Sequence, residues 1–264
     1  MLRRTLLSAL PLAAAKPGLR FSPAAPFPGS PILFQLPTGP ATGTWLDRPL
    51  AFSAEGLALA AVGLEVKPGV LPLTLEQGVV HSIPIARHQY RTGVLTVPPR
   101  FVTPPAEVLK RIQQEAALKK TVFATRSARR WKGPFAAPAD APHTSPFGTR
   151  RTYNSKTRSI HQGLDFRAPT GTEVVATHTG QVLLAREMYY EGGFVVLDHG
   201  EGLFSLYMHL SAFSVNEGET VAQSQPIARS GASGRVTGPH LHFGVQWQGL
   251  YMEPATLLSL RFPS

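Results

Sequence analysis

Residues 238–246 have the sequence Gly-Pro-His-Leu-His-Phe-Gly-Val-Gln. From Leu241 onward the segment contains the aromatic and β-branched residues that favour strands. Successive side chains of a strand point to opposite faces, so His240 and His242 share one face while Leu241 points into the core. The segment therefore predicts a strand that presents two imidazoles side by side.

The whole chain has the composition of a β protein. It contains 24 glycines and 25 prolines among 264 residues, about a fifth of the chain, whereas their usual share is about an eighth. This composition predicts many short strands joined by turns, with little helix. Strands are predicted at 173–176, 180–185, 194–198, 204–208 and 241–246, and in the amino-terminal half at 32–36, 57–62, 71–75, 79–85 and 93–97.

These segments predict three folded parts. Residues 16–103 are predicted to form a small β-sandwich, because turn residues separate the strands at intervals of about ten. Residues 104–130 are predicted to contain a basic linker helix at 106–120, since Pro105 suits a first helical turn and apolar residues recur every three or four positions. Residues 131–264 form the third part. The predicted apolar face of the helix consists of Val108, Leu109, Ile112 and Ala116.

Composition also excludes several classes of protein. Cysteine is absent, so disulfide scaffolds, thiol catalysis and thiolate metal sites are excluded. Any metal must then be held by histidine and carboxylate. No uninterrupted apolar run reaches the length of a membrane-spanning helix, so no integral membrane segment is expected.

The first fifteen residues have the pattern of a signal peptide. Arg3 and Arg4 precede a short apolar run that ends in Ala13-Ala14-Ala15, which suits a signal-peptidase site. Residues 1–15 are therefore predicted to direct export to the periplasm or cell envelope. The net charge is +10, with basic residues concentrated at 100–132 and 150–167. In an exported protein this charge favours an anionic wall polymer as partner, and no nucleic acid is expected.

Candidate metal-binding residues are concentrated in the carboxyl-terminal part. In the segment His161-Gln-Gly-Leu-Asp165, Gly163 and the nearby Pro169 indicate a loop that enters a strand. His209 lies at the end of a predicted strand. Two histidines and one carboxylate would leave zinc one open position, the arrangement of a hydrolytic site. The other histidines are expected to be scaffold or surface residues: His81, His88, His143, His178 and His199.

Five short motifs follow one another over residues 130–260. They are Ser145-Pro-Phe-Gly-Thr-Arg150, His161-Gln-Gly-Leu-Asp-Phe166, Asp198-His-Gly200, Tyr207-Met-His-Leu210 and Gly238-Pro-His-Leu-His-Phe243. In order and spacing, these motifs resemble the zinc peptidases of the lysostaphin and LytM type, family M23. Residues 28–130 resemble, more loosely, the β-rich domain that precedes some of these peptidases.

The resemblance implies a duplicated hybrid motif β-sandwich fold for residues 131–264 and cleavage of peptide cross-bridges in bacterial cell walls. It implies that His161, Asp165 and His242 bind Zn2+. It further implies that His209 and His240 lie beside the metal-bound water as catalytic residues. Four glycines are interpreted as turn formers that shape the groove: Gly148, Gly163, Gly234 and Gly238.

We therefore expect an exported zinc metalloendopeptidase that hydrolyses peptidoglycan, either between glycines or in stem peptides that contain D-amino acids. The alternative is an inactive peptidase-like module that activates another cell-wall hydrolase. Such modules usually lose ligands or flanking histidines, whereas all five residues are present here. A phosphocarrier of the same fold is a second alternative, but it would be cytoplasmic and lack Asp165. Whether a regulatory partner in the cell wall or the amino-terminal domain controls the site is left open.

Overall fold

The computed structural model describes residues 18–37, 39–76, 78–155 and 157–263. Strands hold 42% of the residues and helices 11%, which confirms the prediction of a mainly β fold. The predicted signal peptide, residues 1–15, lies outside the described residues. Within the described part of the chain, every helix is too short or too polar to cross a bilayer.

The amino-terminal part contains two antiparallel sheets, with strand orders β1-β2-β5 and β4-β3-β6-β7. Trp45 of the second sheet is fully buried. Its ring packs edge-on against Phe34 of the first sheet, and its indole N–H donates to the Ala61 carbonyl at 2.9 Å. This side chain therefore joins the two layers. The strands are β1 (Arg20–Ser22), β2 (Pro31–Gln35), β3 (Ala41–Trp45), β4 (Arg48–Phe52), β5 (Leu57–Ala61), β6 (Gly69–Leu75) and β7 (Val80–Ile85).

The hairpin of β3 and β4 was not predicted from the sequence. Leu46 and Asp47, which connect the two strands, both have positive φ, 49° and 58°. A two-residue turn of this kind is usually signalled by Asn-Gly or Asp-Gly. Because Leu-Asp carries no such signal, the strands on either side of it were missed.

Strand β8 (Thr92–Leu95) and helix α1 (Ala106–Phe123) connect the two halves of the chain. The helix begins directly after Pro105, as predicted, and continues three residues beyond the predicted end. Its Val122 is buried against the apolar side chains of the large carboxyl-terminal sheet. The predicted apolar face is only partly correct, because Leu109 and Ala116 are exposed. The helix contacts the sheet through apolar residues of its last two turns. These residues therefore contribute more to its orientation than the apolar residues of its first half.

One large sheet of ten strands dominates the carboxyl-terminal part, with the order β17-β14-β15-β16-β19-β12-β9 and with β13, β18 and β20 joined to it. The strands of this sheet are β9 (His143–Ser145), β12 (Leu164–Phe166), β13 (Glu173–Val175), β14 (Gly180–Met188), β15 (Gly192–Asp198), β16 (Leu203–Phe213), β17 (Thr220–Val221), β18 (Pro226–Ser230), β19 (Leu241–Trp247) and β20 (Leu250–Met252). Strands β10 (Arg150–Tyr153) and β11 (Thr157–Ile160) form a separate sheet with β8, and helix α2 (Pro254–Ser259) follows β20.

Two sequence-based expectations are corrected by this topology. Residues 93–97 were assigned to the amino-terminal sandwich, but β8 pairs in parallel with β10 of the carboxyl-terminal part. Parallel partners lie far apart in sequence, so a local pattern does not reveal them. His209 was expected at the end of a strand, but it lies inside β16, within the register shift of its pairing with β15.

Candidate metal centre

Two neighbouring strands and one loop bring the first three candidates together. β12 pairs antiparallel with β19, and the register places Asp165 directly opposite His242. His161 lies in the loop that leads into β12, as the sequence predicted. Its backbone N–H donates to the Thr149 carbonyl at 2.9 Å, and its carbonyl accepts from the Gly148 N–H at 2.8 Å. Backbone hydrogen bonds on both sides therefore fix the loop.

The donor atoms of these three side chains form a small triangle. His161 Nε2 lies 2.9 Å from both Asp165 Oδ1 and His242 Nδ1. His242 Nδ1 lies 2.8 Å from Asp165 Oδ1. His161 and Asp165 are buried, and the His242 side chain is 12% exposed. These three residues form a group that could hold a metal ion.

The donor set fits a cation such as zinc. His161 Nδ1 lies 2.9 Å from the Pro146 carbonyl oxygen and donates its proton there, which leaves a lone pair on Nε2. Two imidazole nitrogens and a carboxylate oxygen thus face one point. When both imidazoles are neutral, these three atoms carry at most one proton, on His242 Nδ1. Ligand atoms at ~2.0–2.1 Å from a tetrahedral zinc lie ~3.3 Å apart, so the three donors need only move outward by a few tenths of an ångström.

Asp165 has a further partner at its second carboxylate oxygen. Arg151 donates to Asp165 Oδ2 at 2.9 Å, and the same guanidinium nitrogen donates to Ser145 Oγ at 2.6 Å. Burial raises the pKa of Asp165, but the close contacts of its carboxylate with the His161 and His242 rings outweigh burial and hold the pKa well below its usual range. The carboxylate is therefore ionised at any physiological pH and is oriented from behind by Arg151.

His209 lies beside this cluster in an unusual backbone conformation. Its φ is 66°, and its backbone N–H donates to the Glu191 carbonyl at 2.8 Å. The ring donates from Nδ1 to the Ser233 carbonyl at 2.9 Å, which leaves Nε2 as an acceptor. Burial, with the neighbouring His240 and His242, lowers the pKa of His209 well below its usual value. His209 is therefore a neutral proton acceptor near neutrality.

His240 completes the row of imidazoles. Its ring centroid lies 4.8 Å from that of His209, and its Nδ1 lies 2.9 Å from the Gly238 carbonyl oxygen. Its Nε2 is 3.8 Å from Asp165 Oδ1, too far for a hydrogen bond. Leu241 between the two histidines is fully buried, as the strand pattern predicted. The structure thus brings together all five candidate residues.

Gly163 has a more specific role than that of a turn former. Its φ is not positive, so its backbone conformation is open to other residues. A Cβ atom at this position would lie 2.4 Å from His242 Nε2 and 2.6 Å from the Phe243 carbonyl oxygen. The absence of a side chain at Gly163 therefore allows the His242 ring to take its place in the cluster.

A groove of about 540 Å³ opens in front of these residues. Several of its lining residues belong to none of the sequence motifs, and no local pattern marked them. They come from α1, from β10, from the turn between β14 and β15, from the loop between β18 and β19, and from β20. These residues are Lys119, Arg151, Tyr153, Tyr190, Glu191, Arg235 and Tyr251.

The histidines expected to be structural lie outside the cluster. His199 is fully buried, with Nδ1 at 2.8 Å from the Thr179 carbonyl oxygen and Nε2 at 2.8 Å from Ser205 Oγ. Burial lowers the pKa of His199 to about 4. The neighbouring His178 contacts the Lys132 backbone. Both rings therefore bond to neighbouring residues of the fold and not to the cluster.

Comparison with known protein families identifies one match. Residues 159–254 match the model of peptidase family M23, a range that contains all five residues of the cluster.

Two curated relatives illustrate the match. Peptidoglycan DD-endopeptidase ShyA of Vibrio cholerae is 42% identical over 121 residues, which are 46% of this chain and 27% of that protein. DD-carboxypeptidase/endopeptidase Mpg of Neisseria meningitidis is 38% identical over 114 residues, 43% of this chain and 26% of that protein. The chain therefore spans about a quarter of the length of these relatives.

The similarity in three dimensions is broader. A crystal structure assigned to peptidase M23 from Pseudomonas aeruginosa superposes with a TM-score of 0.71 at 27% sequence identity, and covers 88% of this chain and 95% of that chain. The shared fold thus extends well beyond residues 159–254 and includes much of the amino-terminal part.

Proposed function

We propose that this chain, which carries a peptidase M23 domain at residues 159–254, is a zinc-dependent endopeptidase that hydrolyses peptide bonds of peptidoglycan. The observation that carries the proposal is the convergence of His161, Asp165 and His242 on one point, with two more imidazoles beside it. The similarity to proteins named as peptidoglycan endopeptidases supports the substrate class.

In this proposal His161, Asp165 and His242 hold the zinc ion, and the groove receives the peptide. When bound, zinc polarises the scissile carbonyl and activates water for attack. Arg151 keeps the Asp165 carboxylate in position through Oδ2. The hydrogen bond from His161 Nδ1 to the Pro146 carbonyl fixes the tautomer in which Nε2 is the donor atom to the metal.

The two remaining histidines divide the acid–base work. His209 is neutral because its pKa is low, and its Nε2 accepts a proton as the general base. The His240 ring lies beside that of His209 and is positioned by the contact of its Nδ1 with the Gly238 carbonyl oxygen. In this proposal His240 forms a hydrogen bond with the developing oxyanion.

The compartment follows from the substrate class. Peptidoglycan lies outside the cytoplasmic membrane, and residues 1–15 have the pattern of an export signal. We therefore propose a periplasmic or cell-envelope location for the mature protein. Sequencing of its amino terminus after expression in a bacterium tests this, because an intact Met1 on a cytoplasmic protein would contradict export.

Two variants test the assigned roles. Asp165→Ala removes one of three protein ligands, so we expect loss of zinc together with loss of cleavage. His209→Ala is expected to keep its zinc and lose about 10²–10⁴ in rate, as the removal of an acid–base group does. Zinc is measured by elemental analysis, and cleavage by mass spectrometry of digested peptidoglycan. Asp140→Ala, at an exposed site, is the control for loss of an acidic side chain.

The possible outcomes discriminate between the roles. If His209→Ala lost its zinc while Asp165→Ala kept a full equivalent, the assignment of ligands and general base would be reversed. If the wild-type protein bound zinc at this cluster but released no fragment from peptidoglycan, the proposal of an active peptidase would be wrong, and the binding-module alternative would replace it.

A further inference from the structure

The loop between β18 and β19, residues 231–240, forms one wall of the groove. Its two ends are joined by the His240 N–H, which donates to the Gly231 carbonyl at 3.1 Å. The loop supplies the Ser233 carbonyl that orients His209, and it ends at His240. A side chain from this loop therefore lies close to the residues proposed for catalysis.

Arg235 occupies this loop and is fixed from two directions. Its backbone N–H donates to the Tyr190 carbonyl at 2.8 Å. Its guanidinium carbon lies 4.8 Å from the ring centroid of Tyr153 and 4.9 Å from that of Tyr190. These distances are within the range of cation–π interactions. The guanidinium is therefore held in one place before any ligand arrives, which lowers the entropic penalty of binding.

The backbone beside Arg235 is equally constrained. Gly234 has a φ of 73°, and a Cβ atom there would lie 2.4 Å from the Gly192 nitrogen and 2.5 Å from the Tyr190 carbonyl oxygen. The loop thus packs directly on the turn between β14 and β15. The backbone that carries Arg235 therefore cannot move away from this turn without breaking the contact.

The charge of Arg235 is not compensated by the described part of the protein. Two other groove cations are paired, Arg151 with Asp165 and Lys119 with Glu191, whereas Arg167 is exposed to solvent. In the described ranges, no carboxylate lies within ion-pair distance of Arg235, and its guanidinium N–H groups have no hydrogen-bond acceptor. The guanidinium is a planar group with five donors, and it lies against the Tyr153 and Tyr190 rings at the groove.

We propose that Arg235 binds a carboxylate of the peptide substrate beside the scissile bond, so that the groove selects anionic peptides over uncharged ones. This inference rests on the function proposed above and specifies its substrate class. Guanidinium and carboxylate form two parallel hydrogen bonds, which fix the orientation of the peptide as well as its affinity. Peptides with a free carboxylate, on a side chain or at a carboxyl terminus, are therefore the substrates, and an uncharged glycine bridge is not.

Matched peptides test this proposal. Synthetic cross-linked peptide dimers are prepared with both carboxylates free, with only the terminal carboxylate amidated, and with only the side-chain carboxylate next to the scissile bond amidated. The value of kcat/KM is measured for the zinc-loaded wild type, Arg235→Gln, Arg235→Lys and Arg167→Gln. Arg167 is an exposed arginine that also lines the groove, so its variant controls for a general loss of positive charge.

The wild type is expected to cleave the fully free peptide about tenfold faster than one of the amidated peptides. The amidation that removes the preference identifies which carboxylate Arg235 binds. Arg235→Gln should lose the preference, mainly through KM, so that it cleaves the free peptide and that amidated peptide with similar kcat/KM values. Arg235→Lys should keep part of the preference because it keeps the charge but not the planar fork.

Binding to metal-free protein separates this proposal from that of the enzyme. The same peptides carry a fluorophore, and their affinity is measured by anisotropy. If no peptide is cleaved, the proposed function fails, but tighter binding of the free peptide by wild type than by Arg235→Gln still supports the carboxylate site. Equal cleavage and equal binding of free and amidated peptides by the wild type would overturn the proposal. A loss of preference in Arg167→Gln as large as in Arg235→Gln would also overturn it.

Discussion

Replacement of Gly163 by alanine should dismantle the metal centre without touching any metal ligand. The new Cβ would lie 2.4 Å from His242 Nε2 and 2.5 Å from Cε1, whereas ordinary contacts begin near 3.4 Å. The ring must therefore move by about 1 Å, because the Phe243 carbonyl on the other side belongs to a paired strand. Metal–ligand distances tolerate deviations of only about 0.2 Å. We expect zinc affinity to fall at least about 10²-fold and stability to fall by about 1–3 kcal/mol.

The matched control is Gly238→Ala. Gly238 lies in the same groove, has no positive φ, and a Cβ atom there would meet no atom within 4 Å. Zinc affinity is measured by competition with a chromophoric chelator, and stability by urea unfolding of the metal-free proteins. Gly238→Ala should match the wild type in both measurements. If Gly163→Ala bound zinc as tightly as Gly238→Ala, the position of His242 described here, or its role as a ligand, would be wrong.

Three further predictions concern residues around the site. The pKa of His199 is about 4 in the folded state and 6.5 in the unfolded chain, so between these pH values only the unfolded chain binds the proton. The free energy of unfolding should therefore fall by about 3 kcal/mol as the pH drops from 6.5 to 4. Urea unfolding of His199→Gln should lack this pH-dependent loss. Lys119→Met leaves the buried carboxylate of Glu191 without its cation and should destabilise the fold by about 2 kcal/mol, and an added Glu191→Gln should restore most of this in thermal unfolding. Arg151→Met removes the donor that orients Asp165 and should weaken zinc binding about 10–100-fold in the chelator assay, whereas unchanged affinity would show that Asp165 needs no such support.

The sequence predicted those parts of the site that depend on local geometry. The spacing of His240 and His242 on a strand is a property of two residues and the pleat between them, and the structure shows both imidazoles on one side of a buried Leu241. The loop at His161 followed from Gly163 and Pro169 in the same way. These signals depend only on neighbouring residues in the sequence, so they can be read without knowing which distant segments pack against them.

The parts that the sequence did not predict depend on contacts between distant segments. Arg235 is one arginine among many until Tyr153 and Tyr190 are placed on either side of it. The pairing of Lys119 with Glu191 joins residues 72 positions apart. Such pairs arise from the packing of the helix and turns on the sheet, and the local sequence around either residue does not predict its partner.

The pairing of β8 with β10 has a consequence for where the chain can be divided. Leu95, the last residue of β8, and the nearby Val97 line the groove. The Asn154 side chain forms two hydrogen bonds with the Val97 backbone, of 2.9 and 2.8 Å. A fragment cut at residue 131 would keep every metal ligand but would expose the edge of β10 and lose that wall. The span that sequence comparison recognises is thus shorter than the span that must be expressed together. A fragment intended for crystallisation or enzymology should therefore begin before Thr92. If the chain is nicked between β8 and β10, the two pieces should remain associated.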